Sequence, residues 1–177
     1  MAQVKFFEKK SQVFLIGLAI GIVLLLKIFQ YQTFIDNIRW ILLPVKILVV
    51  SWTDLAFVYK SHVGYIEIHD RIVLDKSCTG LNFLLIAFCT GFFGFVFRIS
   101  EYTKQLKWLA FCFIAAYFLT TLFNSIRIVT ILWLSVYVPA INPLKSPFWH
   151  ESIGVFTYLI GLLLYYSALR WWFERDE

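Results

Sequence analysis

The sequence predicts an all-α polytopic membrane protein, with about four transmembrane helices, an interfacial or re-entrant segment, and a small extracytoplasmic β-hairpin. Three observations carry that prediction. Charged residues make up only 15% of the chain and hydrophobic ones 60%, whereas soluble domains carry about 25% charged residues. The apolar residues are gathered into long runs, and the mean hydropathy is +0.76. The basic residues collect at the ends of those runs, where orientation in a membrane explains them. The net charge of +5 therefore does not point to nucleic acid. The 177 residues suit one integral membrane domain, 1–177, with no room for a separate soluble one. Cys78, Cys89 and Cys112 show no CxxC or Cys/His metal spacing, and an odd number of thiols cannot all pair internally. No metal or cofactor is expected.

The first element is a span over residues 11–30, since a crossing helix needs about 20 apolar residues. Lys5, Lys9 and Lys10 precede it and set its start in the cytoplasm. No small-residue cleavage site follows it, so it reads as an uncleaved span. Residues 38–59 are apolar but interrupted by Pro44, Lys46, Ser51 and Asp54. Interior proline breaks helical bonding, and each charge at the bilayer centre costs about 3 kcal/mol on insertion scales. That segment is expected to lie at the interface or to re-enter. Residues 64–75 change period: Tyr65-Ile66-Glu67-Ile68 and Arg71-Ile72-Val73-Leu74 read as two short strands of a hairpin joined at His69-Asp70.

Residues 79–97 form the clearest span, followed by Arg98, Lys104 and Lys107, which place its far end in the cytoplasm and Cys78 outside. The next span, 108–126, returns outward. Apolar sequence continues beyond it to 138, and a helix over 108–138 would be about 46 Å long, so it must tilt, bend or project. Pro139, Pro143 and Pro147 predict an outer loop, and the last span, 152–170, runs inward to Arg170. Four spans leave every terminus and basic cluster on a consistent side. A fifth over 38–59 would push the first terminus outside, against its lysines.

Three polar interruptions fall at helix mouths on the predicted outer side: Cys78-Thr79-Gly80-Leu81-Asn82, Asn124-Ser125-Ile126-Arg127, and His150-Glu151-Ser152-Ile153-Gly154. A thiol is a useful nucleophile because its thiolate fraction rises beside positive charge, and Cys78 precedes a helix whose first N–H groups favour an anion. Thr79 and Gly80 would let a substrate backbone approach. His150 is the candidate acid/base. Arg127, always protonated, is the candidate for stabilising an oxyanion or holding a carbonyl. Asn82 and Asn124 are candidates for orienting these groups, and Glu151 for balancing the imidazole.

Each residue also has a plain reading. Membrane cysteines are commonly small apolar fillers, which suits Cys89 and Cys112 inside their spans. Arginine snorkels to interfaces, and a loop histidine can simply be wet, as His62 and His69 are read to be. The tryptophans read as interfacial belts. Against this, an ionisable residue in a membrane is a functional candidate by default, and three fall on one side. A transporter would want polar residues through the membrane centre, where Gly91, Gly94, Thr120 and Thr121 are meagre. Metal binding at Cys78 and His150 would have two ligands where three or four are usual.

The three blocks, in this order, resemble the exosortase/archaeosortase family: the cysteine block at Cys78–Asn82, the arginine block at Asn124-Ser125-Ile126-Arg127-Ile128, and the histidine block at His150–Gly154. The likeness covers about residues 64–171, and the short N-terminal part looks like the compact subtypes, such as exosortase K. Family members often carry Ser or Asn after the cysteine; Thr79 keeps a small polar group there. The resemblance implies a cysteine endopeptidase/transpeptidase of a bacterial or archaeal cytoplasmic membrane, active on the extracytoplasmic face. Its substrates would be exported proteins bearing a C-terminal motif, a transmembrane helix and a basic tail. Cys78 would form a thioester, Arg127 would hold the oxyanion, and His150 would act as acid/base. Water, an amine or a glycolipid of the membrane would then accept the acyl group. Soluble sortases use the same three residue types, which is an analogy of chemistry and not of fold. The alternative expectation is a non-enzymatic membrane scaffold or assembly factor.

Overall fold

A computed structural model describes residues 2–32, 35–68, 72–138, 144 and 146–175, with the side chains of 2–11 and 35 left out of the description. The protein is mostly helical. Among the described residues, four helical stretches are long and apolar enough to cross a membrane: Gln12–Gln32, Lys76–Arg98, Tyr102–Tyr137 and Pro147–Arg175. They belong to α1 (Ala2–Gln32), α3 (Leu81–Phe95, flanked by 3-10 turns at Lys76–Thr79 and Val96–Arg98), α4 (Tyr102–Tyr137) and α5 (Pro147–Arg175). A fifth helix, α2 (Arg39–Thr53), is shorter.

Helix α3 is the most buried of the long helices, with Asn82, Ile86 and Gly94 left exposed along one narrow stripe. Leu84, Phe88 and Phe92 are at most 1% exposed and pack with Trp108, Ala116 and Tyr165 from α4 and α5. In lipid, helix association draws on close packing more than on the hydrophobic effect, so small residues at crossings matter. A Cβ on Gly161 of α5 would fall 2.8 Å from the Phe123 ring of α4, so these two helices can approach this closely only with glycine there.

The segment 38–59 divides in two, which corrects the single interfacial or re-entrant element expected there. Its first part is α2, a continuous helix despite Pro44. Proline lacks the N–H that would bond the carbonyl four residues earlier, at Trp40. That carbonyl instead accepts from the Tyr117 hydroxyl of α4 at 3.2 Å, and the Trp40 and Tyr117 rings stack. The helix stops at Thr53, where Asp54 takes a left-handed conformation (φ 53°) and its N–H closes on the Val50 carbonyl.

The second part is a strand. The expected hairpin is a three-stranded antiparallel sheet among the described residues, with β1 (Phe57–Lys60) paired to β2 (Gly64–Glu67) and β2 to β3 (Val73–Leu74). β1 was hidden in an apolar run that began as helix, but its side chains alternate between half-buried and exposed as a strand requires. The predicted turn at His69-Asp70 lies outside the described residues. The β1–β2 corner is tied down by Asp36, which accepts from Tyr59, Ser61 and the His62 backbone. The Tyr59 bond, first among these, holds the Asp36 carboxyl below its usual range.

Two further bounds differ from expectation. α4 runs on past 126 to Tyr137 as one helix of about 54 Å. α5 begins at Pro147 rather than at 152, because proline suits the first helical position, where no N–H is needed. Pro147 is therefore helical and His150 sits in the first turn of α5; Pro139 and Pro143 lie outside the described residues. A second buried cluster joins α2, the sheet and the C-terminal half of α4 through Leu42, Val45, Tyr65, Leu74 and Ile128, and Cys78 belongs to it.

Candidate functional site

The turn that carries Cys78 is fixed from both ends. Asp75 caps it, its carboxylate accepting from the Ser77 N–H at 2.8 Å and the Ser77 hydroxyl at 2.6 Å. Gly80 then reverses the backbone into α3 with φ 66°, a conformation that costs a side chain energy and glycine little. A Cβ on Gly80 would also sit 2.9 Å from Thr120 of α4. Thr79 is 1% exposed and its hydroxyl donates to the Lys76 carbonyl. These two residues therefore face the bundle and build the turn, contrary to the expectation that they open a path for a substrate backbone.

Cys78 and the two other principal candidates share one cleft of about 230 Å³, lined also by Asp75, Ser77, Ile128 and Ile131. Arg127 comes from α4 and His150 from α5. Arg127 Nη2 stands 2.8 Å from His150 Nε2, and Nη1 stands 3.3 Å from the Tyr158 hydroxyl. The guanidinium can only donate, so Nε2 accepts and the ring proton lies on Nδ1. A Cβ on Gly154 would be 3.2 Å from Arg127 Nε, so the glycine four residues after His150 makes the room that the arginine occupies. Arg127 Nε is buried and has no hydrogen-bond partner among the described residues.

Asn124 is fully buried and links the two halves of the cleft. Its Nδ2 donates to the Cys78 carbonyl, and its Oδ1 accepts from Tyr158 at 2.9 Å. The backbone of the cysteine turn is thus joined through Asn124 and Tyr158 to Arg127 and His150. The Cys78 thiol itself is only 8% exposed. Its neighbours are the Val73 carbonyl at 3.9 Å and Ser77 Oγ at 3.8 Å; the described residues include no bond from it to His150. Of the supporting candidates, Asn82 turns away to α1, accepting from Lys27 Nζ at 2.7 Å, and Glu151 is exposed.

Asp75 and Tyr158 were not among the sequence candidates. Both left a signal. Asp75-Lys76-Ser77 has the spacing of an aspartate bonding its own backbone two residues on. His150, Gly154 and Tyr158 recur every fourth residue and so share one face of α5, as Asn124 and Arg127 share one face of α4. Cys112 is buried against Tyr165 and Gly91 in the inner bundle, and Cys89 is half-buried. The chain matches no protein-family model, no curated protein and no solved structure.

Proposed function

We propose that the chain is a membrane-embedded cysteine endopeptidase/transpeptidase that processes C-terminal sorting signals of exported proteins at the outer face of a cytoplasmic membrane. One observation carries the reading: the Arg127–His150 pair borders the same cleft as Cys78, and the three blocks follow the order of the exosortase/archaeosortase family. In the reaction, the Cys78 thiol loses its proton to His150 and its sulfur attacks the scissile carbonyl carbon. Arg127 receives the oxyanion. The tetrahedral adduct collapses with the C–N bond breaking, and the imidazolium returns its proton to the leaving amine. The resulting thioester passes its acyl group to water, giving proteolysis, or to an amine or glycolipid, giving attachment; the incoming nucleophile yields its proton to His150 and thence to the Cys78 sulfur. A substrate carbonyl that takes over the Nη2 donor would release His150 Nε2, the lone pair that a base needs.

The basic residues support the outer location. Lys104 and Lys107 at the start of α4, with Arg170 and Arg175 at the end of α5, mark the cytoplasmic end. The test has two parts. A membrane-impermeant maleimide on right-side-out vesicles should label the wild type and not Cys78→Ser; labelling that needs permeabilised membranes would put the cleft on the wrong side. An exported reporter ending in a motif, a span and a basic tail should be shortened by the wild type, by Cys89→Ala and by Cys112→Ala, and left intact by Cys78→Ala. Equal processing by Cys78→Ala would sink the proposal. One observation favours the alternative, a non-enzymatic membrane scaffold or assembly factor: the thiol packs among apolar residues and meets a carbonyl, not the imidazole. On that reading Cys78, Arg127 and His150 tolerate substitution, whereas Gly161 does not.

A further inference from the structure

We infer that Tyr158 is the positioning residue that holds Arg127 in register with the Cys78 turn, an inference that rests on reading those two residues as reacting groups. The bond directions leave no freedom. Arg127 can only donate, so the Tyr158 oxygen must accept from it and spend its own proton on Asn124 Oδ1. Asn124 must then present Nδ2 to the Cys78 carbonyl, which can only accept. Removing one hydroxyl therefore breaks two bonds and leaves the guanidinium held by His150 alone and the amide by the Cys78 carbonyl alone.

The ring is held independently of the hydroxyl. It stacks on Phe83 of α3 with centroids 4.7 Å apart and planes 14° apart, and the Arg127 Cζ lies 5.8 Å from its centroid. The hydroxyl oxygen also stands 3.4 Å from the Cβ position of Gly80, at the start of α3. Tyr158 thus touches α3 and α4 from α5 at the level where the cleft closes. A phenylalanine there keeps the stack and loses only the relay, which separates positioning from packing.

The test needs no substrate. In the full chain carrying Cys89→Ser and Cys112→Ser, the rate at which iodoacetamide alkylates Cys78 is measured from pH 6 to pH 10. Tyr158→Phe should slow alkylation at pH 7 at least threefold and move the midpoint upward, because a loosened guanidinium stabilises the thiolate less. Arg127→Gln, which removes the charge, sets the scale of the full effect. Tyr117→Phe, which removes a hydroxyl that donates to the Trp40 carbonyl of α2 and touches neither Asn124 nor Arg127, should leave the profile unchanged. An unaltered profile in Tyr158→Phe overturns the inference. So does an equal shift in Tyr117→Phe, failure of Tyr158→Phe to fold, or a Cys78 inert in every variant. A reporter that the wild type never shortens would instead defeat the proposed function, with the alkylation profile still deciding the role of Tyr158.

Discussion

The two halves of α4 bury polar groups to different extents. The half from Tyr102 to Ala116 packs Trp108, Leu109, Cys112 and Ala116 into the first cluster and buries one polar side chain, Gln105, which donates to the Ile99 carbonyl at 2.6 Å. The half from Tyr117 onward buries Thr120, Thr121, Asn124 and Ser125 beside Ile128 and Ile131. A buried polar group costs free energy unless it is bonded, and here most of them are: Thr121 and Ser125 return to carbonyls of their own helix, at 3.0 and 2.7 Å, while Asn124 reaches the Cys78 turn. Contact between apolar groups tolerates exchange of one side chain for another of similar volume. Bond direction does not, so the C-terminal half is where single atoms should matter.

The largest contrast is expected at Arg127. Arg127→Lys keeps the charge but loses the fork that reaches His150 and Tyr158 together. Reporter processing should fall about 100- to 1,000-fold, the range seen when one oxyanion donor is removed. In the N-terminal half, Cys112→Ala should leave processing within twofold and cost about 1 kcal/mol for the small void. Rates of reporter shortening and thermal stability in detergent measure both. A mild Arg127→Lys beside a severe Cys112→Ala would reverse the comparison.

Asn124→Leu probes the same division by stability. It strands the Cys78 carbonyl and the Tyr158 hydroxyl, and an unsatisfied buried group costs about 1–3 kcal/mol. The melting temperature should fall by several degrees. Leu109→Met, of similar volume in the N-terminal half, should change it little. Equal losses would mean that packing, not bonding, holds the C-terminal half.

These contrasts also explain what was legible in the sequence. The four long apolar runs and the three polar interruptions are local patterns, so hydropathy and spacing reveal them. Tyr158 sits in an aromatic-rich helix beside Phe156 and Tyr165, where a hydroxyl partner on another helix leaves no mark beyond the fourfold spacing from His150. Thr79 and Gly80 looked like access to a nucleophile because their small size fits that role; whether they face a cleft or the bundle depends on the packing of α4. The strand β1 escaped notice because Phe57-Val58-Tyr59-Lys60 extends an apolar run, and only the left-handed turn at Asp54 separates it from α2.

The continuity of α2 gives the smallest effect and a sharp one. Pro44 was read as a break, yet the carbonyl it frees at Trp40 finds its donor in Tyr117, far along the chain. Tyr117→Phe should keep the stack with Trp40 and remove that bond, costing about 0.5–1 kcal/mol at this half-exposed site. Adding Pro44→Ala restores the helical N–H, so the double variant should recover most of the loss, read as melting temperature in detergent. Independent, additive effects of the two substitutions would show that the proline and the tyrosine are uncoupled. Recovery would show that α4 supplies what the sequence of α2 lacks, at the junction between its apolar and its bonded halves.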